Sequence, residues 1–446
     1  MRSSVPTHIA GVLSLAAFLT FQTVSAQRQS APPSDAEREL ARTIMADKRM
    51  DEVLRMGREL LKSGMNAGSG YREVWIRDLN TFIVPLLDVA PRQSVRDALI
   101  TFFHFQGEDG NVIDGYVPKD AGNAGYKYRH ADTMPGLKAH KNTVETDQES
   151  SLAQAVCRYI TKTKDAGILD EGVRGITVRR RVEMALEYPL KHRFSEKHGL
   201  VWGATTADWG DVQPEHEWGV ELDESSNRAI DIYDNAMLVV AIGDFVKTGI
   251  PATDERKREW TERNTRLRAA IRNHLWDKAT GKFIPHIYLG KSPFPPDFDE
   301  RGVFYHGGTT VAIEAGLLTP EEIRDSYETM RGNVKRANAA SIGLTLYPPY
   351  PEGTFKNRSM APYSYQNGGD WDWFGGRTVT QLARAGLVGE AYRELIPMLE
   401  RAIGHNGFYE WWTPSNEPKG SGQFRGAAGV LIEAIATLRD WADARD

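Results

Sequence analysis

The chain has 446 residues with a formal net charge of −5, of which 41% are hydrophobic and 26% charged. These values exclude a collagen-like or wholly disordered chain and a polytopic membrane protein, and they give no electrostatic footprint for nucleic acid or an anionic membrane. The single cysteine, Cys157, cannot close an intrachain disulfide. The sequence indicates neither a cofactor nor a metal site, because it has no phosphate-binding glycine loop and no metal-ligand spacing.

The first 26 residues have the composition of a secretory signal peptide. Arg2 supplies the positive start, residues 9–21 form an apolar run, and small residues at 24–26 suit cleavage. The run is too short for a membrane span. We therefore predict a secreted or periplasmic protein with no membrane segment after cleavage, and an uncleaved anchor is the alternative. Residues 27–35 are predicted to be a flexible lead-in.

From residue 36 to 446 the chain alternates apolar periodic segments with connections rich in Gly, Pro, Asn and Asp. Strand-like alternation is sparse and no composition shift divides the chain, so we predict one all-α domain. The predicted helices lie at about 36–62, 75–90, 93–106, 146–163, 172–192, 228–248, 253–277, 309–316, 319–332, 376–385, 388–403 and 424–444.

The connections alternate between short turns and long loops. This pattern predicts paired helices packed in a ring, with the long loops collected at one rim. The chain also has 11 Trp, 16 Tyr and 16 Phe, and aromatic platforms suit the faces of sugars, although dense core packing is the alternative. The long loops that hold most of the acids and aromatics are 107–145, 198–227, 284–308, 340–375 and 404–423.

Two clusters in the first half of the chain pair acids with aromatics. The Trp-Ile-Arg-Asp run at 75–78 lies at a predicted helix start, where Arg77 and Asp78 bind a polar ligand or simply form a helix-start ion pair. The loop 202–211 ends in Asp-Trp-Gly-Asp, which is a ligand-binding loop or a turn with Asx caps.

Two further clusters lie near the C-terminus. The Tyr-Gln-Asn-Gly-Gly-Asp-Trp run at 365–371 combines glycines, which allow a ligand to approach the backbone, with amides that bind hydroxyls. The run at 407–412 places Glu410 among four aromatics, where burial raises the pKa of a carboxyl unless donors offset it. Arg425 and the backbone of 422–426 are the nearest candidate donors in the sequence.

Cleavage of a glycosidic bond requires the carboxyl groups that these four clusters supply beside aromatic side chains. One carboxyl must be protonated to deliver a proton to the leaving oxygen, and a second must be ionised to activate water or attack carbon. Other chemistries lack their signatures, because there is no Gly-x-Ser-x-Gly elbow and Cys157 lies in an apolar helical run.

The order of these four motifs resembles that of the six-hairpin, (α/α)6-barrel glycosidases, over about residues 60 to 440. This group includes trehalases, processing α-glucosidases and mannosylglycerate or glucosylglycerate hydrolases, and the cellobiose and chitobiose phosphorylases share the motif order. The resemblance implies an all-α (α/α)6 toroid and a secreted inverting glycoside hydrolase that acts on a terminal or small glycoside.

The resemblance also implies roles for individual residues. The proton donor falls at Asp211, with Gly210 where the phosphorylase motif has Asn. Trehalases carry a donor Asp directly after a Trp, which leaves Asp208 as a rival. The base falls at Glu410. Residues 205–207 are Thr-Thr-Ala, where trehalases are expected to have Glu-Ser-Gly before this motif, so the chain is not expected to be a trehalase.

These considerations give a predicted site. For an inverting enzyme we expect the Asp211 and Glu410 carboxyls to lie about 6.5 to 9.5 Å apart, with Arg77 orienting Asp78. The predicted sugar-binding residues are Arg77, Asp78, Trp202, Asp208, Trp209, Gln366, Asn367, Trp371, Trp411 and Arg425.

Three other functions are weighed against hydrolysis. A phosphorylase of the same fold would attack with phosphate and would not need a Glu base. An epimerase on the same ring of helices would need paired His bases, whereas the loop clusters supply carboxylates. A non-catalytic carbohydrate-binding protein would use the aromatics alone. The sequence leaves the sugar, the anomer and the oligomeric state open.

Overall fold

The computed structural model describes residues 32–122, 125–217 and 220–445. The predicted signal peptide and residues 27–31 of the lead-in lie outside these ranges. Within them, none of the helices has a stretch both long and apolar enough to cross a bilayer. The helices of the described residues are α1 Asp35–Ala46, α2 Lys48–Lys62, α3 Ile76–Leu86, α4 Arg92–Phe105, α5 Gln148–Thr163, α6 Val178–His192, α7 Ile232–Lys247, α8 Asp254–His274, α9 His306–Glu314, α10 Pro320–Ala337, α11 Asp372–Arg384, α12 Val388–Gly404 and α13 Arg425–Asp443.

Each predicted helical segment overlaps a helix, and the first overlaps two. Asp47 separates α1 from α2: its backbone is extended, and its side chain accepts a hydrogen bond from the Arg49 amide at 2.9 Å, which caps a new helix. The segment 172–192 becomes helical only at Val178, because residues 172–177 form a tight hairpin. The start of α10 follows its local sequence, with a Thr319 capping box and Pro320 in the first turn.

The helices form a closed double ring. Each inner helix contacts the next, in the order α3, α5, α7, α9, α11 and α13, and α13 returns to contact α3. The even-numbered helices α2 to α12 pack outside them, and α1 packs on α13. This is the predicted (α/α)6 toroid.

Burial follows this arrangement. Inner helix α7 is apolar on most of its circumference, and eleven of its residues are buried. Outer helix α8 buries only Trp260, Leu267 and Ile271 and presents charges elsewhere. A helix enclosed by neighbours must be apolar all round, whereas an outer helix needs only one apolar stripe.

The strands are short and lie in the connections. Long loops lead from each outer helix to the next inner helix, so they gather where the inner helices begin, which positions the loop residues around one mouth of the ring. The strands are β1 Val74–Trp75, β2 Gly115–Pro118, β3 Tyr128–Arg129, β4 Leu137–His140, β5 Gly172–Val173, β6 Ile176–Thr177, β7 Phe194–Ser195, β8 Leu200–Val201, β9 Gly203–Ala204, β10 Arg228–Ile230, β11 Trp276–Asp277, β12 Lys282–Phe283, β13 Ile287–Tyr288, β14 Phe304–Tyr305, β15 Leu346–Tyr347, β16 Tyr409–Trp412 and β17 Pro418–Gly422.

Candidate active site

Glu410 lies at an irregularity in the β16–β17 hairpin. The strand register shifts between Tyr409 and Trp411, and such a bulge re-aims the side chain it contains. The carboxyl is buried, with the residue 4% exposed. The Tyr71 hydroxyl donates to its Oε1 at 2.8 Å, and the Ser421 amide donates to its Oε2 at 2.7 Å. Both carboxyl oxygens therefore accept hydrogen bonds.

The electrostatic environment of Glu410 brings its pKa close to neutral pH, where a carboxyl can both accept and release a proton. Burial raises the pKa of Glu410 to about 7, and the negative charge of Asp211 adds to the increase. The hydrogen bonds from the Ser421 amide and the Tyr71 hydroxyl lower the pKa and offset part of this increase. The offsetting donors come from β17 and from the segment before α3. The prediction that Arg425 supplies them is wrong, because its guanidinium donates to the Asn66 carbonyl and the Ser63 hydroxyl, each within 2.8 Å.

Asp211 is held by the side chain of Gln366. The Gln366 amide nitrogen donates to Asp211 Oδ1 at 2.7 Å, and the Asp211 backbone N–H donates back to Gln366 Oε1 at 3.2 Å. A Cβ at residue 210 would lie 2.7 Å from Gln366 Oε1, so Gly210 is required for this approach. Gln366, predicted to bind sugar, thus orients a carboxyl of the site.

Two tyrosines lie beside both carboxyls. Burial raises the pKa of Tyr71 and of Tyr365, and the charges of Glu410 and Asp211 raise both further. Tyr71 packs on Trp75 with ring centroids 4.5 Å apart. Tyr365 packs on Trp371 at 5.4 Å and on Trp411 at 6.4 Å. These rings form an aromatic wall next to the two carboxyls.

Asp78, in the first turn of α3, carries an unused acceptor. The residue is 4% exposed, and its Oδ1 has no hydrogen-bond partner among the described residues. Burial raises its pKa to about 7, with Arg77 opposing the increase and Asp114 and Glu410 adding to it. A buried acceptor without a partner costs free energy, so a ligand hydroxyl would be bound favourably there.

Arg77 lies in a nest of acids rather than in a pair with Asp78. Its guanidinium forms an ion pair with Glu145 and lies 3.6 Å from Asp114 Oδ1 and 3.5 Å from Asp147 Oδ2. The residue is 6% exposed. The single positive charge of Arg77 is therefore shared among three carboxyls beneath the site. Within the described ranges, no group of three or more His, Cys, Asp or Glu side chains has the arrangement of a metal site.

Asp208 has a structural role. Its two carboxyl oxygens accept hydrogen bonds from the Gly307 and Gly308 amides, at 2.7 and 2.8 Å, at the start of α9. The residue is 1% exposed, and burial raises its pKa to about 8 against those amides. Both oxygens therefore hold the start of α9, and the expected sugar contact of Asp208 stays a prediction. Trp209 is also buried, with its ring centroid 4.7 Å from that of Trp371.

Three other predicted sugar-binding residues have partners within the protein. Asn367 is fully buried, accepts from the Tyr350 amide and donates to the Tyr350 and Met360 carbonyls. Trp202 packs against the guanidiniums of Arg228, at 4.7 Å, and Arg193, at 5.6 Å. Arg425 joins α13 to the loop before α3. Asn367 and Arg425 stabilise loops, and cations cover the Trp202 ring.

A buried ion cluster fixes the strand that carries Glu410. Arg401, from α12, donates to Asp370 at 2.8 Å and to Asp372 at 2.6 Å, and Trp412 donates to Asp372 at 2.9 Å. The Asp370 and Trp412 backbones also exchange hydrogen bonds, at 2.9 and 2.7 Å. This cluster joins the 365–371 loop to β16.

The sequence motifs did not identify several residues that lie around the site. Tyr71 lies four residues before the Trp75 motif. Glu145 ends the recognised loop 107–145, and Asp147 falls in the predicted helix 146–163 although it precedes α5. Tyr365 belongs to the recognised cluster at 365–371 and Ser421 to the recognised loop 404–423, but nothing in their spacing assigns them to a carboxyl. Their roles depend on which loops meet, which the sequence does not show.

No protein-family model matches the chain, and a search of curated proteins finds no match. Solved structures do match. The GH63 mannosylglycerate hydrolase from Thermus thermophilus, in complex with Tris, has a TM-score of 0.61 at 16% identity over 85% of this chain and 99% of its own. The rhamnosidase from Klebsiella oxytoca with rhamnose bound has a TM-score of 0.59 at 14% identity over 87% of this chain. A glycosidase variant gives 0.53 at 11% identity over 91% of this chain and 99% of its own.

The chain spans 63% of the length of the rhamnosidase and nearly all of the mannosylglycerate hydrolase. At these identities the likeness concerns the fold. The chain has the fold of six-hairpin glycosidases, as the order of its motifs predicts.

Proposed function

We propose that the protein is an inverting glycoside hydrolase in which Asp211 is the general acid and Glu410 the general base. The observation that carries the proposal is the pair of carboxyls itself. Glu410 is buried beside aromatic rings and receives two donors, while Asp211 lies close enough for its charge to raise the pKa of Glu410.

The hydrogen bonds favour this assignment of roles. Both oxygens of Glu410 accept, which suits a carboxylate that takes a proton from water. Asp211 is partly exposed, and one of its oxygens is held by Gln366. Its other oxygen is available to carry a proton toward a leaving group.

In the proposed reaction, Asp211 protonates the glycosidic oxygen as the bond to the anomeric carbon breaks. Glu410 removes a proton from a water molecule that attacks the same carbon from the opposite face. This geometry requires a carboxyl separation of about 6.5 to 9.5 Å, which leaves room for the water. The products are a sugar of inverted anomeric configuration and a free alcohol.

Asp78 is proposed to hold the sugar. Its unpartnered Oδ1 accepts from a sugar hydroxyl, and the Tyr365, Trp371 and Trp411 rings shield the reacting centre from water. A hydrogen bond that strengthens as the ring flattens toward an oxocarbenium-like state contributes to the rate as well as to binding.

The charge around the site favours water over phosphate as the nucleophile. Asp78, Asp211 and Glu410 converge there, and Asp114 adds a further carboxylate beneath them. A phosphate dianion would be repelled at close range by each of these acids that is ionised. Because the sequence predicts a signal peptide, we further propose that hydrolysis takes place outside the cytoplasm. The proposed substrate is a terminal or small glycoside, as the resemblance of the motifs implies.

The test is a panel of aryl glycosides and disaccharides, assayed with and without inorganic phosphate. Hydrolysis without phosphate, with a first-formed product of inverted configuration by proton NMR, supports the proposal. Turnover that depends on phosphate would show a phosphorylase, and binding without turnover would show a carbohydrate-binding protein.

The carboxyl roles are tested with amide variants. Glu410→Gln should lose turnover and regain it with azide when the leaving group is good, because azide needs no base. Asp211→Asn should lose turnover of glycosides with poor leaving groups and retain more of it on aryl glycosides with good ones, because a good leaving group needs no proton. Glu417→Gln, an exposed change in the same hairpin, is the matched control and should behave as wild type. Failure of azide to rescue Glu410→Gln, or an equal loss by Asp211→Asn on good and poor leaving groups, would contradict the assignment.

A further inference from the structure

A cavity of about 1000 Å³ is built from the later turns of the inner helices. All six inner helices line it, and the active-site residues precede or occupy the first turns of the same helices. On α5 the lining residue Arg158 lies about 15 Å along the axis from the first residue, Gln148, at 1.5 Å per residue. The cavity, here called the rear cavity, therefore lies at the end of the ring opposite the Glu410 hairpin.

The rear cavity is cationic in an acidic protein. It has an excess of three positive charges, whereas the whole chain has a formal charge of −5. Such an excess in a concave site attracts anions. Its cationic lining residues are Arg158, Lys162, Lys164, Lys247, Arg377 and Arg384, and its acidic ones are Asp244, Glu314 and Glu433.

Only part of this charge is neutralised within the protein. Glu314 lies between two guanidiniums, 3.3 Å from Arg158 and 2.8 Å from Arg377. Of the remaining cations, Lys164 and Lys247 have no ion pair within 4.0 Å among the described residues. Burial raises the pKa of the Asp244 carboxyl, which favours its neutral form and leaves the nearby cations less compensated.

The uncharged lining indicates the rest of the ligand. Asn80 is 3% exposed, and its Oδ1 has no hydrogen-bond partner among the described residues, while its amide nitrogen donates to Gln154 at 3.2 Å. That oxygen requires a donor such as a hydroxyl. The twenty lining residues include no aromatic side chain, so the cavity has no platform on which a nucleobase would stack.

We propose that the rear cavity is a second ligand site, which binds a small phosphorylated polyol or sugar. The phosphate lies against the unpaired Lys164 and Lys247, and a hydroxyl donates to Asn80 Oδ1. This site is independent of the proposed hydrolysis, because it shares no side chain with the carboxyl pair.

The test is the thermal midpoint of the full-length protein in glycerol phosphate, inorganic phosphate or glycerate, with chloride balancing the ionic strength. A ligand that binds only the folded state raises the midpoint in a saturable way. Glycerol phosphate should give the largest rise, inorganic phosphate a smaller one, and glycerate the smallest because it carries less charge. No saturable rise with either phosphate compound would overturn the proposal.

Variants locate the site. The Lys164→Gln and Lys247→Gln double variant should bind glycerol phosphate at least about tenfold more weakly, because two charged donors are lost. A double variant of the exposed Lys278→Gln and Lys291→Gln is the matched control and should keep the wild-type affinity. Equal weakening in both double variants would show a general salt effect and refute the site.

Two further measurements with variants complete the experiment. Asp211→Asn should retain the effect of glycerol phosphate, and its loss there would place the ligand at the active-site mouth and contradict the proposal. If the Lys164 and Lys247 double variant does not keep the ligand-free midpoint, each single variant carries the test. Wild-type affinity in both singles would then reject the site.

Discussion

Replacing Glu410 with glutamine should remove turnover and at the same time stabilise the protein at alkaline pH. The variant keeps the shape of the side chain: its carbonyl can accept from the Ser421 amide, and its amide can donate to the Tyr71 oxygen. What the change removes is a carboxyl that must ionise in a buried place. In the proposed mechanism the native protein bears that cost because catalysis requires the charge.

The magnitude follows from the pKa of Glu410, which burial raises from 4.5 to about 7. Each factor of ten in proton affinity corresponds to about 1.4 kcal/mol, so a pKa difference of about 2.5 between the folded and unfolded states corresponds to about 3 kcal/mol. Because the folded state holds the proton more tightly than the unfolded state, the wild type loses this stability as pH rises from about 4.5 to about 7. The variant has no such loss.

The assay is thermal unfolding of both proteins at pH 4.5 and pH 8.5. For a chain of this length the entropy of unfolding is about 0.9 kcal/mol/K, so about 3 kcal/mol corresponds to a midpoint about 3 °C higher for Glu410→Gln at pH 8.5. The difference should vanish at pH 4.5, and Glu417→Gln should show no difference at either pH. A variant that is less stable than wild type at pH 8.5 would refute the reasoning, because burial would then not disfavour the charge.

Three other predictions follow from the contacts around the site. Asp78→Asn should fold normally and lower kcat/KM at least about tenfold, with kcat affected as well as KM, which steady-state kinetics on the identified substrate will measure. Asp208→Asn should keep turnover but lose about 1 to 2 kcal/mol of stability in denaturant unfolding at about pH 6, because one of the two α9 amides loses its acceptor. At that pH the wild-type carboxyl, whose pKa burial raises to about 8, carries little ionisation cost that the variant could relieve. Gly210→Ala should lower kcat while leaving the thermal midpoint close to that of wild type, because the added Cβ would displace Gln366 from Asp211. An unchanged kcat would show that this contact does not position the acid.

The sequence determined the ring of helices. Apolar periodicity located every helical segment, and the alternation of short turns with long loops predicted the two ends of the toroid. These are local properties, since a helix of this kind is specified by which of its faces are apolar and by residues at its ends, as in the Thr319 and Pro320 start of α10. The break at Asp47 was missed because a cap inside a continuous apolar pattern is a matter of a single side chain.

Tertiary structure decided which acids share a site. Asp208 and Asp211 are three residues apart in an acidic loop, yet one caps α9 and the other lies close enough to Glu410 for its charge to raise the pKa of that carboxyl. Gly210 lets Gln366 approach Asp211 from 155 residues away. In the same way Arg425, close to Glu410 in the sequence, turns to Asn66, while Tyr71 reaches Glu410 from 339 residues away. Hydrogen bonds and charges act through space, so neighbours along the chain predict a carboxyl environment only where the chain folds on itself locally. The rear cavity has the same origin, since its cations come from α5 and the residue after it, from α7 and from α11, and only the closed ring brings them together.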